Sequence, residues 1–123
     1  MPTKIALVGH CGPDSYMLRS AVKYAVKDSE VLMISDDKGL AAAVANGVGL
    51  LLVNRMLDGN FEVGQGVDLI GRLHTTYPDL PMMLISNYAD SQKAAEAAGA
   101  RTGFGKSEIG TAKMREALAG AFV

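Results

Sequence analysis

Three sets of residues in this chain have side chains suited to chemistry. His10, Cys11, Gly12, Pro13 and Asp14 run from the end of an apolar segment into a helical one. A thiol at a helix start is a redox candidate, because the helix terminus favours thiolate. His10 and Cys11 also offer two soft ligands to zinc, with Asp14 or Asp36 as a third. A structural zinc site needs more ligands than these, and a lone cysteine allows neither an internal disulfide nor a multi-cysteine centre. The second set is Asn54, Ser86 and Lys106, an amide, a hydroxyl and an ammonium. Asp36, Asp37 and Asp58, the third set, are the candidate carboxylate partners for them.

The elements that must position these groups follow from periodicity. Short apolar runs at 4–9, 30–35, 48–54, 82–86 and 101–104 alternate with helical patterns at 13–27, 37–45, 66–77, 90–98 and 109–121. The strands read as continuous apolar runs, which predicts a parallel sheet covered on both faces. The fold class is therefore α/β, a doubly wound five-stranded parallel sheet, as a single domain over 1–123. In such sheets function gathers where the carboxyl ends of the strands emerge. Those ends carry Gly9, His10 and Cys11; Asp36 and Asp37; Asn54; Ser86; and Lys106. All the candidates thus fall on one edge.

Bulk properties narrow the function. Twelve basic and thirteen acidic side chains give a formal charge of -1, with no excess of cations to hold a nucleic-acid backbone. The longest mostly apolar run, 40–53, is too short to span a bilayer and contains Asn46. No long apolar leader follows the first residues, and a single cysteine suits a reducing compartment, so a cytoplasmic protein without membrane contact is expected.

Two resemblances bear on the edge residues. Cys11-Gly12-Pro13 resembles the start of the thioredoxin Cys-Gly-Pro-Cys site, with Asp14 where the resolving cysteine would stand. A dithiol cycle is impossible on that pattern. A simpler reading is a proline early in the helix, with Gly12 or Asp14 as its cap. The second resemblance covers the whole chain. Five βα units, Asn54, Ser86 and Lys106 at strand ends, the run 99–106 leading to Lys106, and the run 66–70 opening the third helix resemble a response-regulator receiver domain.

That resemblance implies strand order 2-1-3-4-5, phosphoryl transfer to an acid ending strand three, Ser86 and Lys106 as phosphate or anion holders, and an acidic Mg²⁺ pocket after strand one. Here the acceptor position is Asn54, and Gly9 and His10 stand at the acidic pair, beside Cys11. Asp36 and Asp37 are the carboxylates that strand two could bring to this altered pocket. Gly103 stands where receivers place a switch aromatic, with Phe104 one residue later. The expected function is a non-enzymatic signalling module, an atypical receiver acting by protein–protein contact, with no cofactor and doubtful use of Mg²⁺. The alternatives are phosphotransfer through another acid such as Asp58, and a redox protein built on Cys11. Resemblance also implies a homodimer or partner face on the fourth helix, fifth strand and fifth helix.

Residue expectations complete the reading. Lys106 is expected to hydrogen-bond Asn54 and nearby carbonyls, and His10, neutral, to donate to a strand-end carbonyl. Ser86 is expected to bond the backbone. The glycine-rich loop 55–65 is longer than the resemblance implies, and is read either as a cover for the altered pocket, a partner surface or an ordinary loop.

Overall fold

The structure, a computed structural model, describes residues 3–121. Met1, Pro2, Phe122 and Val123, the ends of the predicted domain, lie outside the described residues. Strands β1 (Thr3–Val8), β2 (Ser29–Ile34), β3 (Leu50–Asn54), β4 (Met82–Ile85) and β5 (Arg101–Phe104) alternate with helices α1 (Gly12–Ala25), α2 (Asp37–Ala45), α3 (Gly66–Thr76), α4 (Ala89–Ala97) and α5 (Ala112–Ala121). The strands form one parallel sheet in the order β2-β1-β3-β4-β5. This is the predicted architecture.

Both faces of the sheet are buried, which is why the strands lack a polar alternation. Ile5, Leu52 and Ile85 point to the side covered by α1 and α5, with Leu18 and Met114 packed on them. Ala6, Leu51 and Leu84 point the other way, toward α2, α3 and α4. Every residue of β3 is buried, so the chain is anchored at the strand that ends in Asn54.

Local signals set the helix ends. Asp36 caps α2, its Oδ1 accepting from the Gly39 N–H at 2.6 Å. Pro13 lies in the first turn of α1, but the N-cap is Cys11 and makes no side-chain cap bond. Neither Gly12 nor Asp14 caps α1, because Asp14 lies inside the first turn and its carboxylate turns to another partner. The closing helix begins at Ala112 rather than 109. A short 3-10 turn (Lys106–Glu108) precedes it, and the Glu108 carboxylate accepts from the Gly105 N–H at 2.7 Å.

Candidate functional site

Asn54 ends β3 and is 5% exposed. Its Nδ2 donates to the carbonyls of Gly9 (3.0 Å) and Met56 (2.7 Å), while its Oδ1 accepts from the Arg55 N–H (3.0 Å). Both amide protons therefore have backbone acceptors, which fixes the orientation of the amide. A carboxylate has no protons to give, and at this position it would confront two carbonyl oxygens. The surroundings of Asn54 are built for an amide.

The loop 55–65 folds over this end of the sheet as a strap. The Asp58 N–H donates to the Gly9 carbonyl at 2.9 Å, the Leu57 N–H to Gly64 at 3.0 Å, and the Asn60 N–H to Ser35 at 2.8 Å. Gly9 has φ +72°, and a Cβ there would lie 2.6 Å from Leu57 Cδ2. Leu57 thus rests on bare backbone at the place where the resemblance calls for an acid. Of the readings open for this loop, covering the altered pocket is the one the structure bears out. Its length is used to cross from β3 over β1 to β2.

Asp36 and Asp37 do not reach the pocket as carboxylate ligands. Asp36 caps α2, and Asp37 Oδ2 accepts from the Glu62 N–H of the strap at 2.7 Å. Asp58 is exposed on the strap. Among the described residues, no three His, Cys, Asp or Glu side chains come together as a metal ion would need. Mg²⁺ requires oxygen ligands, usually with carboxylates among them. The neutral groups around Asn54 do not fit it.

His10 follows β1 and turns back over the sheet, its Nε2 lying 2.9 Å from the Leu52 carbonyl. That oxygen can only accept, so Nε2 carries the proton, as expected for a neutral imidazole at a strand end. Burial pushes the His10 pKa down, against an opposing pull from the Leu52 carbonyl. The Ser15 hydroxyl donates to the His10 carbonyl at 3.1 Å and ties this turn to α1.

Lys106 departs from expectation. Its Nζ meets Asp14 Oδ2 at 3.0 Å, so the cation pairs with a carboxylate in the first turn of α1 rather than with Asn54. Both side chains are about a third exposed, at 38% and 34%. The Lys106 hydrogen bond, with a smaller contribution from the Cys11 thiol, holds the Asp14 carboxyl below the usual carboxylate range. Cys11 is half-buried beside this pair.

The other half of the edge is open. Asn54, Arg55, Met56, Ser86, Asn87, Tyr88 and Lys106 line a cleft of about 380 Å³. Ser86 is 4% exposed, and its Oγ accepts from the Tyr88 N–H at 3.1 Å, the backbone role foreseen for it. The Arg55 guanidinium lies over the Tyr88 ring, 4.5 Å from its centroid. No carboxylate lines this cleft. The structure thus brings Asn54, Ser86 and Lys106 to one cleft, with Gly9 and His10 beside it under or next to the strap. It pairs Asp14 with Lys106 and adds Leu57 and Tyr88, which sequence reasoning did not place there. Only the unusual length of the loop signalled one of them.

The sequence matches no protein-family model and no curated protein. Solved structures do match. NtrX from Brucella abortus superposes with a TM-score of 0.81 at 18% identity, covering 99% of this chain and 27% of that one. The non-phosphorylated receiver domain of the stress response regulator RcsB from Escherichia coli gives 0.77 at 15% identity, covering 97% and 92%. A response regulator from Chloroflexus aurantiacus, described as putative, gives 0.73 at 18% identity, covering 97% and 99%. The chain therefore has the receiver fold, that of the signalling modules it superposes on, and it spans about a quarter of the length of NtrX.

Proposed function

We propose that this chain is a signalling module of receiver fold that acts through protein contacts and is not switched by phosphorylation at the usual position. The observation that carries this reading is Asn54, whose two amide protons are held by the Gly9 and Met56 carbonyls under the strap. Aspartyl phosphorylation needs a nucleophilic carboxylate and a metal to offset the developing charge. An amide oxygen bonded to the Arg55 N–H supplies neither.

Transfer through Asp58 has weaker support, since that residue is exposed on the strap and faces no gathered carboxylates. The redox alternative lacks a second thiol, because Asp14 stands in its place and is paired with Lys106. Ser86 and Lys106 are the groups that would hold a reversible anion in the open cleft. A protein partner or second copy would use the face of α4, β5 and α5, with no role for nucleic acid. No helix among the described residues is long and apolar enough to cross a membrane.

The test is intact mass after incubation with acetyl phosphate and Mg²⁺. An unchanged mass is expected, and gain of a phosphoryl group overturns the reading. If that gain vanishes in Asp58→Asn, the alternative acceptor is correct.

A further inference from the structure

Helix α4 has little to hold it by packing. Its only fully buried residue is Ala95, and its sequence is short and rich in small side chains. Yet Gln92, one turn into the helix, sends its side-chain amide into the end of the sheet. The Gln92 Nε2 lies 2.8 Å from the Leu84 carbonyl, 3.1 Å from Ser86 and 3.3 Å from Phe104. Two protons are shared among three acceptors that belong to β4, to the Ser86 edge of the cleft and to β5.

The sheet has a gap that receives this amide. The pairing of β4 with β5 is irregular between Met83 and Ile85. Gly103 sits at this break and is buried. A Cβ on Gly103 would collide with the Leu84 carbonyl oxygen and lie 3.0 Å from Gln92 Oε1. The bare glycine and the long amide are therefore complementary. Phe104 faces the opposite side of the sheet, in the core beneath α1 and α5, and fills none of this space.

We infer that Gln92 is a fixed clamp, a positioning residue that joins α4 to the ends of β4 and β5 and presents the outer face of α4 in one permanent position. The acceptors are backbone carbonyls held in the sheet, so only the Gln92 side chain itself can break the bonds. Movement of α4 would strip buried carbonyls of a donor, a cost that opposes any second position. The use of this face by a partner rests on the function proposed above, whereas the clamp does not, and its test needs no partner or phosphate donor.

Native-state amide hydrogen exchange reads the clamp directly. In Gln92→Met, which keeps the length and removes the donors, the α4 amides should exchange about tenfold faster, with α1 and β3 unchanged. Gly103→Ala should speed exchange in α4 together with β4 and β5, because its Cβ would collide with the Leu84 carbonyl oxygen that Gln92 bonds. Unchanged α4 protection in either variant, or equal loss in every element of a variant that still folds, overturns the proposal. The wild-type protein supplies a measurement that no folding failure can remove. Its α4 amides should open together with those of β4 as denaturant rises, and independent opening of α4 at lower free energy also overturns it.

Discussion

The two halves of the sheet's carboxyl edge solve the same problem in opposite ways. At β1 and β3 the backbone carbonyls of Gly9 and Leu52 are covered by neutral donors, the Asn54 amide, the His10 imidazole and the Asp58 N–H, with Leu57 of the strap against Gly9. At β4 and β5 the cleft stays open to water, and the cations Arg55 and Lys106 line it with Tyr88 60% exposed above. Charge has been kept where solvent can reach it and removed where the strap excludes solvent, as the cost of burying an unpaired charge requires.

The sharpest test of this contrast is a charge at Asn54, which is buried where the closed half meets the cleft. Asn54→Asp should lower stability by about 3 kcal/mol at neutral pH, because a buried carboxylate would face two carbonyl oxygens. Such a carboxyl has its pKa raised in the folded state, so the loss grows as pH rises above the unfolded value of about 4. Urea unfolding at pH 7 and pH 4 checks it, and a variant as stable as the wild type at pH 7 would dissolve the distinction.

His10 provides a smaller test of the same half. Its pKa is depressed by burial, so the unfolded chain takes up a proton first. Stability should therefore decline as pH falls below about 6.5, the ordinary histidine value, and level off below the folded pKa. Following the imidazole resonances with pH, beside the unfolding midpoint, measures both ends of that window. A folded pKa at or above 6.5 would contradict the buried neutral ring.

The open half should respond least. Asp14→Asn removes the partner of Lys106, but the pair is a third exposed, so the expected cost is about 0–1 kcal/mol. The depressed Asp14 pKa adds stability that is complete above the unfolded value and is lost as pH falls through the folded one. High salt should shrink the wild-type advantage. A salt-insensitive loss well beyond this range would mean that the pair is structural rather than solvated.

The sequence made the closed and open halves unequally legible. Continuous apolar strands located five strand ends, and with them His10, Asn54, Ser86 and Lys106 on one edge. The caps of α2 were readable because Asp36 and Gly39 are neighbours in the chain. What escaped were pairings across long separations. Asp14 and Lys106 are 92 residues apart, and nothing local distinguishes Asp14 from a surface acid. The last helix starts three residues after the expected 109, because 109–111 link the 3-10 turn to α5. Gln92 was not singled out, since periodicity records apolar positions and is blind to an amide that fills a gap in a ladder.

The strap gives the chain a particular relation to its mutational neighbours. An acid placed at Asn54 alone meets two carbonyls, and one placed at Gly9 alone drives a side chain into Leu57 at a positive φ. Each single step loses stability before the other can offer a ligand. A carboxylate pocket could form here only after the strap is released, so the site is a local optimum that single substitutions leave by losing stability.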